Sequence, residues 1–522
     1  SGASLSMNAS VPLKDHWKEQ KLFLSRLIAA GVIILTLTGV LIWRLFQLQV
    51  VEYQVFSELS QGNRLRIEPL PPTRGLIFDR NGTVLAENRP AWELIITPEQ
   101  ITNLEDSLRS LEGLGLVDPA EHESLFELIR SYRGFERVKL VNLTETQAAR
   151  FAVRRHHFPG VDIQEGLIRY YPFGELTGHA IGYLASISPA ELQRINRSDY
   201  AATSLIGKSG IERSYEDTLH GSVGYRQQVV NAQGRVLLDP AMPASVAPIS
   251  ESSQGSLETR WPVPGDNIVL GLDIRLQTVA HEALEGQRGA AVAIEPSTGD
   301  VLALVSTPAF DPNRFSVGLS RAEFQMLNSD PDEPLFHRAL AGRYPPGSTI
   351  KPFLGLAALH HDVLEPERRA MCYGHFVLPG NSHRYRDWKP QGHGLMDLHE
   401  SIVQSCDVYF YQLAVSLGID YMGPFLREFG FGARTGIDIS GENAGLVPSR
   451  EWKRSQFSRR EDQVWFPGET VITGIGQGFT LVTPLQLAHA TATMAAAGQR
   501  LQPRLVIATE NSATGQVIES VP

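Results

Sequence analysis

The stretch Tyr344-Pro345-Pro346-Gly347-Ser348-Thr349-Ile350-Lys351 decides how this chain is read. A Pro-Pro-Gly turn leads into a helix pattern that continues through Leu354, Leu356, Leu359 and His360. Residues at i and i+3 share a helix face, so the Lys351 amine can reach the Ser348 hydroxyl. A serine hydroxyl is a weak nucleophile until a neighbouring base activates it. The plainer reading is an ordinary helix with Ser348 as its N-cap. Ser-x-x-Lys recurs by chance in long chains, so the rest of the sequence has to decide.

With 522 residues, 42% of them hydrophobic, the chain is long enough for about three domains with sizeable cores. A net charge of -10 argues against a nucleic-acid partner, which calls for a basic face. Two cysteines, Cys372 and Cys406, do not make a disulfide scaffold.

Leu27 to Trp43 is an uncharged apolar run that Leu45 and Phe46 extend, the signature of a membrane span. Lys14, Lys18, Lys21 and Arg26 precede it, which favours a cytoplasmic N-terminus. Trp43-Arg44-Leu45-Phe46 follows where a signal peptidase site would need small residues, so an uncleaved anchor is expected. A buried core helix and a cleaved signal peptide are the rival readings.

Beyond the anchor, residues 65–85 read as strand, turn, strand, with Arg74 to Gly82 ending in an Asn-Gly hairpin signal. Residues 97–160 hold mainly amphipathic helical stretches. Arg154, Arg155, His156 and His157 form a basic cluster there, read as a solvated face before a partner or lipid contact. Residues 240–264, rich in Ser, Pro and Ala, read as a loop or linker. A further domain begins near Asp266, with a strand at Ile268 to Leu270 and a helix at Leu276 to Leu284. Two apolar runs, Ala290 to Ile294 and Val301 to Val305, flank Ser297-Thr298-Gly299-Asp300 and predict a hairpin buried on both faces. The order points to an α/β multidomain protein whose last domain is an antiparallel sheet sandwiched by helices.

Several motifs now agree in order and spacing, and the chain resembles the class B penicillin-binding proteins, most of all the elongation-specific penicillin-binding protein 2 type. Arg74 to Gly82 and Gly207 to Glu216 are similar to the family's two pedestal motifs. Ser348-Thr349-Ile350-Lys351 is similar to its first active-site motif, and Ser405-Cys406-Asp407 to its second. Asp407 in third place, with Arg384-Tyr385-Arg386-Asp387-Trp388 upstream, points to the elongation type. Gly474-Ile475-Gly476-Gln477-Gly478 and Thr483-Pro484-Leu485-Gln486 resemble the later helical region. The family's third motif, Lys-Ser/Thr-Gly, does not occur between Ser348 and Pro522. Lys208-Ser209-Gly210 spells it, but lies before the nucleophile. The natural protein is therefore expected to continue. The boundaries implied are 1–23 for a cytoplasmic tail, 24–46 for the anchor, 47–240 for the pedestal, 241–265 for a linker and 266–522 for a transpeptidase domain lacking its C-terminal part.

The resemblance implies a mixed α+β pedestal, a single-pass bacterial inner-membrane protein with its bulk in the periplasm, and a serine-type D-Ala-D-Ala transpeptidase that β-lactams acylate. Ser348 would be the nucleophile, Lys351 the base, Ser405 a proton relay and Asp407 a partner of Lys351; no cofactor is needed for catalysis. It also implies a SEDS glycosyltransferase of the RodA type and an MreC-type regulator as partners. A carboxypeptidase or β-lactamase on the same domain is the rival enzyme. A scaffold that activates the glycosyltransferase without catalysis is the rival that is not an enzyme. Cys372, Asp387, His393 and Cys406 are the residue types zinc prefers, and the cluster resembles a structural zinc site of elongation-type relatives. A Cys372–Cys406 disulfide and two unrelated buried thiols stand beside it.

Overall fold

The computed structural model describes residues 16–47, 65–132, 137–230, 236–238, 258–365 and 367–519. The sequence-derived tail before His16 and linker residues 241–257 lie outside them. The chain divides into two units, one of residues 1–68 with 226–258, the other of residues 69–225 with 259–522. Most of the expected pedestal and the whole of the expected transpeptidase domain therefore share the larger unit.

In the smaller unit, helix α1 spans His16–Phe46. Its stretch Arg26–Phe46, 21 residues with every apolar side chain uncovered, is long enough to cross a membrane, since a helix of that length rises about 30 Å. In the same unit Arg226 pairs with Glu68 at 2.5 Å.

The larger unit is built on the strands β1 (Ile77–Phe78), β2 (Val84–Ile96), β3 (Val138–Leu143), β4 (Val161–Tyr170) and β5 (Asn267–Leu270), the hairpin β6 (Gly289–Ile294) and β7 (Val301–Thr307), and β8 (Val506–Glu510) with β9 (Val517–Glu519). One sheet has the order β9-β8-β5-β1-β2-β3, with β4 also on β2. Asp79 shapes the turn between β1 and β2: its Oδ1 accepts the Asn81 and Thr83 amides, and Gly82 takes φ +82°, a value that favours glycine. Helices Leu104–Gly113, His122–Ser131 and Glu145–Arg154 close over β2 and β3 around Leu108, Leu111, Ile129 and Phe151. This segment carries β3 as well as the helices expected there. Arg154 to His157 are exposed, as a solvated face requires.

Strand β5 forms as expected but elsewhere. It pairs in parallel with β1 and antiparallel with β8, so it joins the pedestal's sheet rather than the hairpin's. Hairpin β6–β7 also forms, with a correction: β7 is buried while β6 is half-buried throughout, because among the described residues β6 pairs only with β7. Helix α2 (Ile274–Ala283) lies on β7, where buried Gln277 both donates to the Leu304 carbonyl and accepts its amide at 2.9 and 2.8 Å.

The helical half of the larger unit includes α3 (Lys351–His360), α4 (Asp407–Leu417), α5 (Ile419–Glu428), α6 (Arg450–Gln456), α7 (Pro467–Thr473) and α8 (Pro484–Ala495). Thr483 and Gln486 form a capping box that starts α8. A core of Ile350, Phe353, Leu354, Phe410, Phe431 and Val471 joins α3, α4 and α7. Each such side chain contributes about 1.5–3 kcal/mol through burial, and this packing holds the first turn of α3 in place.

Candidate active site

Ser348 sits not at an N-cap but inside a 3-10 turn, Gly347–Ile350, that runs directly into α3. Gly347 takes φ +59° and its amide donates to the Gly476 carbonyl at 3.0 Å. A Cβ on Gly476 would overlap the Gly347 carbonyl, so glycine at 476 lets the two backbones meet beneath the serine. Tyr344 and Val482 exchange backbone hydrogen bonds at 2.9 Å and fix the approach to the turn. The sequence offered Gly474 to Gly478 only as a resemblance; its function here is to seat the nucleophile's turn.

Lys351 begins α3 with its side chain 1% exposed. Its Nζ donates to Asp407 Oδ1 at 2.6 Å, to the Ser405 carbonyl at 3.0 Å and to Ser405 Oγ at 3.1 Å. Ser405 Oγ in turn donates to Ser348 Oγ at 2.8 Å. The i, i+3 spacing placed lysine and serine on one helix face, but the structure connects them through Ser405. All four expected catalytic residues come together. Ser405 takes φ +54°, a conformation uncommon outside glycine and frequent at functional sites. Asp407 opens α4, and the Trp388 indole N–H braces the segment before Ser405 by donating to the Gln404 carbonyl at 3.1 Å. Sequence reading placed Trp388 only within a motif.

Behind Ser405, Cys372, Asp387, His393 and Cys406 offer ligand atoms that all lie within 4.8 Å of one another. Cys372 Sγ is 3.5 Å from Asp387 Oδ2 and from His393 Nδ1, and Cys406 Sγ is 3.6 Å from Asp387 Oδ2. Both cysteines are free thiols. Burial pushes the Cys406 thiol well above its ordinary range. Burial would raise the Asp387 carboxyl too, but the Lys389 and Val408 amides and His393 outweigh it and hold it low. His393 Nε2 is buried without a hydrogen-bond partner. Cys406 is also the N-cap of α4, its sulfur accepting the Tyr409 amide at 3.4 Å. Whatever holds Cys406 therefore also holds Ser405 and Asp407 on either side of it.

Residues 289–521 match the penicillin binding protein transpeptidase domain, and residues 69–242 the penicillin-binding protein dimerisation domain. The peptidoglycan D,D-transpeptidase MrdA of Acinetobacter baumannii is 41% identical over 97% of this chain and 72% of its own. A Helicobacter pylori PBP2 solved in complex with MreC superposes with TM-score 0.72 and 30% identity over 87% of this chain and 81% of that one. A chain from a peptidoglycan synthase complex that coordinates polymerization and crosslinking aligns with TM-score 0.64 and 30% identity, over 95% of this chain and 82% of that one.

Proposed function

Because this chain belongs to the penicillin-binding protein transpeptidase family, we propose that it is a peptidoglycan D,D-transpeptidase of the cell-elongation type, anchored by α1 and working through a serine acyl-enzyme. The observation that carries the mechanism is the hydrogen-bonded line from Lys351 through Ser405 to Ser348. Ser348 Oγ attacks the carbonyl of the penultimate D-Ala of a stem peptide. Its proton passes to Lys351 by way of Ser405, so the attack draws on the lysine in its neutral form. As the C–N bond breaks, Lys351 returns the proton to Ser405, Ser405 passes it to the leaving D-Ala amine, and an ester on Ser348 remains. The amine of a second stem peptide then attacks that ester, the C–O bond to Ser348 breaks, and a proton lost by the amine passes through Ser405 to Ser348 Oγ, closing the cross-link and freeing the serine. The Ser348 amide, at the start of a helical turn, is placed to donate to the developing oxyanion. Asp407 holds Lys351 in line at the start of each cycle.

The four-residue cluster fits a structural Zn2+. Two thiols, an imidazole and a carboxylate are a donor set zinc takes, the thiols are unbridged, and all four groups converge in a buried site. Bound there, the metal would supply a cross-link between the 372–393 segment and the start of α4. The chemistry at Ser348 runs without it. The basic residues before α1 support a cytoplasmic N-terminus, the likeness to the MreC-bound and synthase-complex proteins supports an MreC-type regulator and a polymerising partner, and the family resemblance makes that partner a RodA-type glycosyltransferase.

The test is a cross-linking reaction with the full-length protein and un-cross-linked strands bearing pentapeptide stems. D-Ala release with dimer formation by the wild type, and neither by Ser348→Ala, is the expected result. D-Ala release without dimers would favour a carboxypeptidase. Polymerase stimulation with no D-Ala release would favour the scaffold.

A further inference from the structure

We propose that an arginine-walled cleft beside α6 holds the carboxylates of an acidic stem peptide while its D-Ala end lies at Ser348, a subsite that rests on the transpeptidase reading. The cleft has a volume of about 390 Å³ and is lined by Arg450, Arg454, Arg460, Gln463, Val464 and Trp465. In a chain of net charge -10, three guanidinium groups around one cavity are a local reversal of sign. Arg450 and Arg454 lie one helical turn apart on α6 and share a face. Arg460 faces them from the loop that follows. Glu451, Glu461 and Asp462 belong to the same segment but do not line the cavity. Among the described residues, Arg450 alone of the three arginines makes an ion pair, with Asp420 at 3.0 Å, while Glu451 beside them feels the Arg454 and Arg450 charges.

The loop is built rather than draped. Buried Lys453 donates to the Val464 carbonyl at 2.7 Å and pairs with Glu469, which folds residues 457–466 back over α6. Gln463 Nε2 donates to the Phe457 carbonyl at 2.8 Å, and Trp465 Nε1 to Thr470 Oγ1 at 2.8 Å. The cleft thus has a fixed wall, with Val464 and Phe466 exposed beside it for apolar contact. Guanidinium groups bind carboxylates through paired N–H donors, so the chemistry that fits is an anionic peptide.

The chain path between cleft and nucleophile points to which peptide. Helix α7 starts at Pro467, directly after the cleft's Trp465 and Phe466, and the residues just beyond its end reach Gly476, whose carbonyl accepts the Gly347 amide beneath Ser348. Seven helical residues rise about 10 Å, and an extended peptide covers that in about three residues. A stem peptide with its scissile bond at Ser348 therefore brings carboxylates a few residues upstream to the arginines.

The experiment measures binding of soluble un-cross-linked peptidoglycan strands to the full-length protein, in a Ser348→Ala background so that nothing turns over. Each strand is used with free stem carboxylates and with those carboxylates converted to primary amides. The expected result is at least tenfold weaker binding of the acidic strand by Arg454→Gln/Arg460→Gln, with Arg454→Lys/Arg460→Lys near the parent. The amidated strand is expected to bind all three alike. β-Lactam acylation of Ser348, read in proteins that keep the serine, should stay within twofold and reports that the domain is folded. If the double Gln variant loses acylation, Arg460→Gln alone, on the exposed loop, replaces it. Equal affinity for acidic and amidated strands, or for parent and Gln variants, would overturn the subsite. So would vesicles of anionic lipid that follow the arginines while strands do not. Absence of acylation in every protein, wild type included, would count against the serine mechanism and leave the binding comparison to judge the cleft.

Discussion

Two buried charge clusters in the larger unit use the same kinds of group to opposite ends. In the pedestal, Glu212 is fully buried between Arg74 and Arg169, each 2.7 Å away. Arg74 also reaches Glu216 at 2.7 Å, Arg169 donates to the Gly75 carbonyl at 2.8 Å, and Glu216 accepts the Gly207 amide at 2.9 Å. Burial alone would raise the Glu212 carboxyl; the two guanidiniums outweigh it and hold it low. At the active site the cation is Lys351, its anion Asp407 keeps 15% exposure, and the third partner is a hydroxyl leading outward to Ser348. A guanidinium does not give up its proton, whereas a buried ammonium can. The closed cluster is thus suited to fixing chain segments, and the open one to moving a proton.

The largest effect expected is at the open cluster. Lys351→Met should lower the rate of β-lactam acylation by about 10³-fold or more, in the upper range for losing a positioned base, with the unfolding midpoint little changed. Stopped-flow acylation and a thermal melt on the same sample check both halves; a large loss of stability would erase the contrast. At the closed cluster the expected order is reversed. Glu212→Ala leaves buried Arg169 without a carboxylate and Arg74 with Glu216 alone, and should cost about 3–5 kcal/mol of stability by chemical denaturation. Protein that remains folded at low temperature should still be acylated.

Acid sharpens the comparison through a third buried group. His179, tilted against His337 with ring centroids 5.0 Å apart, is pushed down to about 4 by burial, and burial lowers His337 as well. A histidine kept neutral in the fold loses stability as pH falls below its unfolded value near 6.5, and the loss levels off below the folded value. From pH 7 to pH 5 His179 alone should account for about 2 kcal/mol. Glu212, held low, keeps its contribution over that range, because a depressed carboxyl loses it only below about 4.5. Denaturation at both pH values should therefore show a slope that flattens in His179→Phe and is unchanged in Glu212→Gln, whatever the absolute stability of each. The smallest effect concerns the metal. Chelation, or His393→Ala, should remove one bound zinc per chain and slow acylation by about tenfold, the lower end for losing support around a metal-held site. Wild-type protein without zinc would remove that part of the account.

What the sequence revealed follows from how local each feature is. Ser348 and Lys351 belong to one helical turn, so their spacing raised them as candidates, and the other motifs of the chain decided for them over a plain N-cap. Ser405 and Asp407 start a different helix, more than fifty residues on, and only family resemblance joined them to the first pair. The cluster of Cys372, Asp387, His393 and Cys406 was legible because two cysteines in 522 residues are scarce enough to be noticed together with what lies between them. Arg169 was never singled out: an arginine in a strand ordinarily points to solvent, and its partners Glu212 and Gly75 come from distant segments. Strand β5 was legible as a strand, but its neighbours β1 and β8 are set by packing. The arginine cleft was hidden because Arg450 and Arg460 meet only once Lys453 folds the loop back.

The most direct test of the account is intact mass of the full-length protein with and without a β-lactam, followed by peptide mapping and repeated on Ser348→Ala. One adduct per chain, on the peptide containing Ser348 and absent from the variant, is the result the account expects. An adduct that persists in Ser348→Ala, or one that maps to another residue, would contradict it.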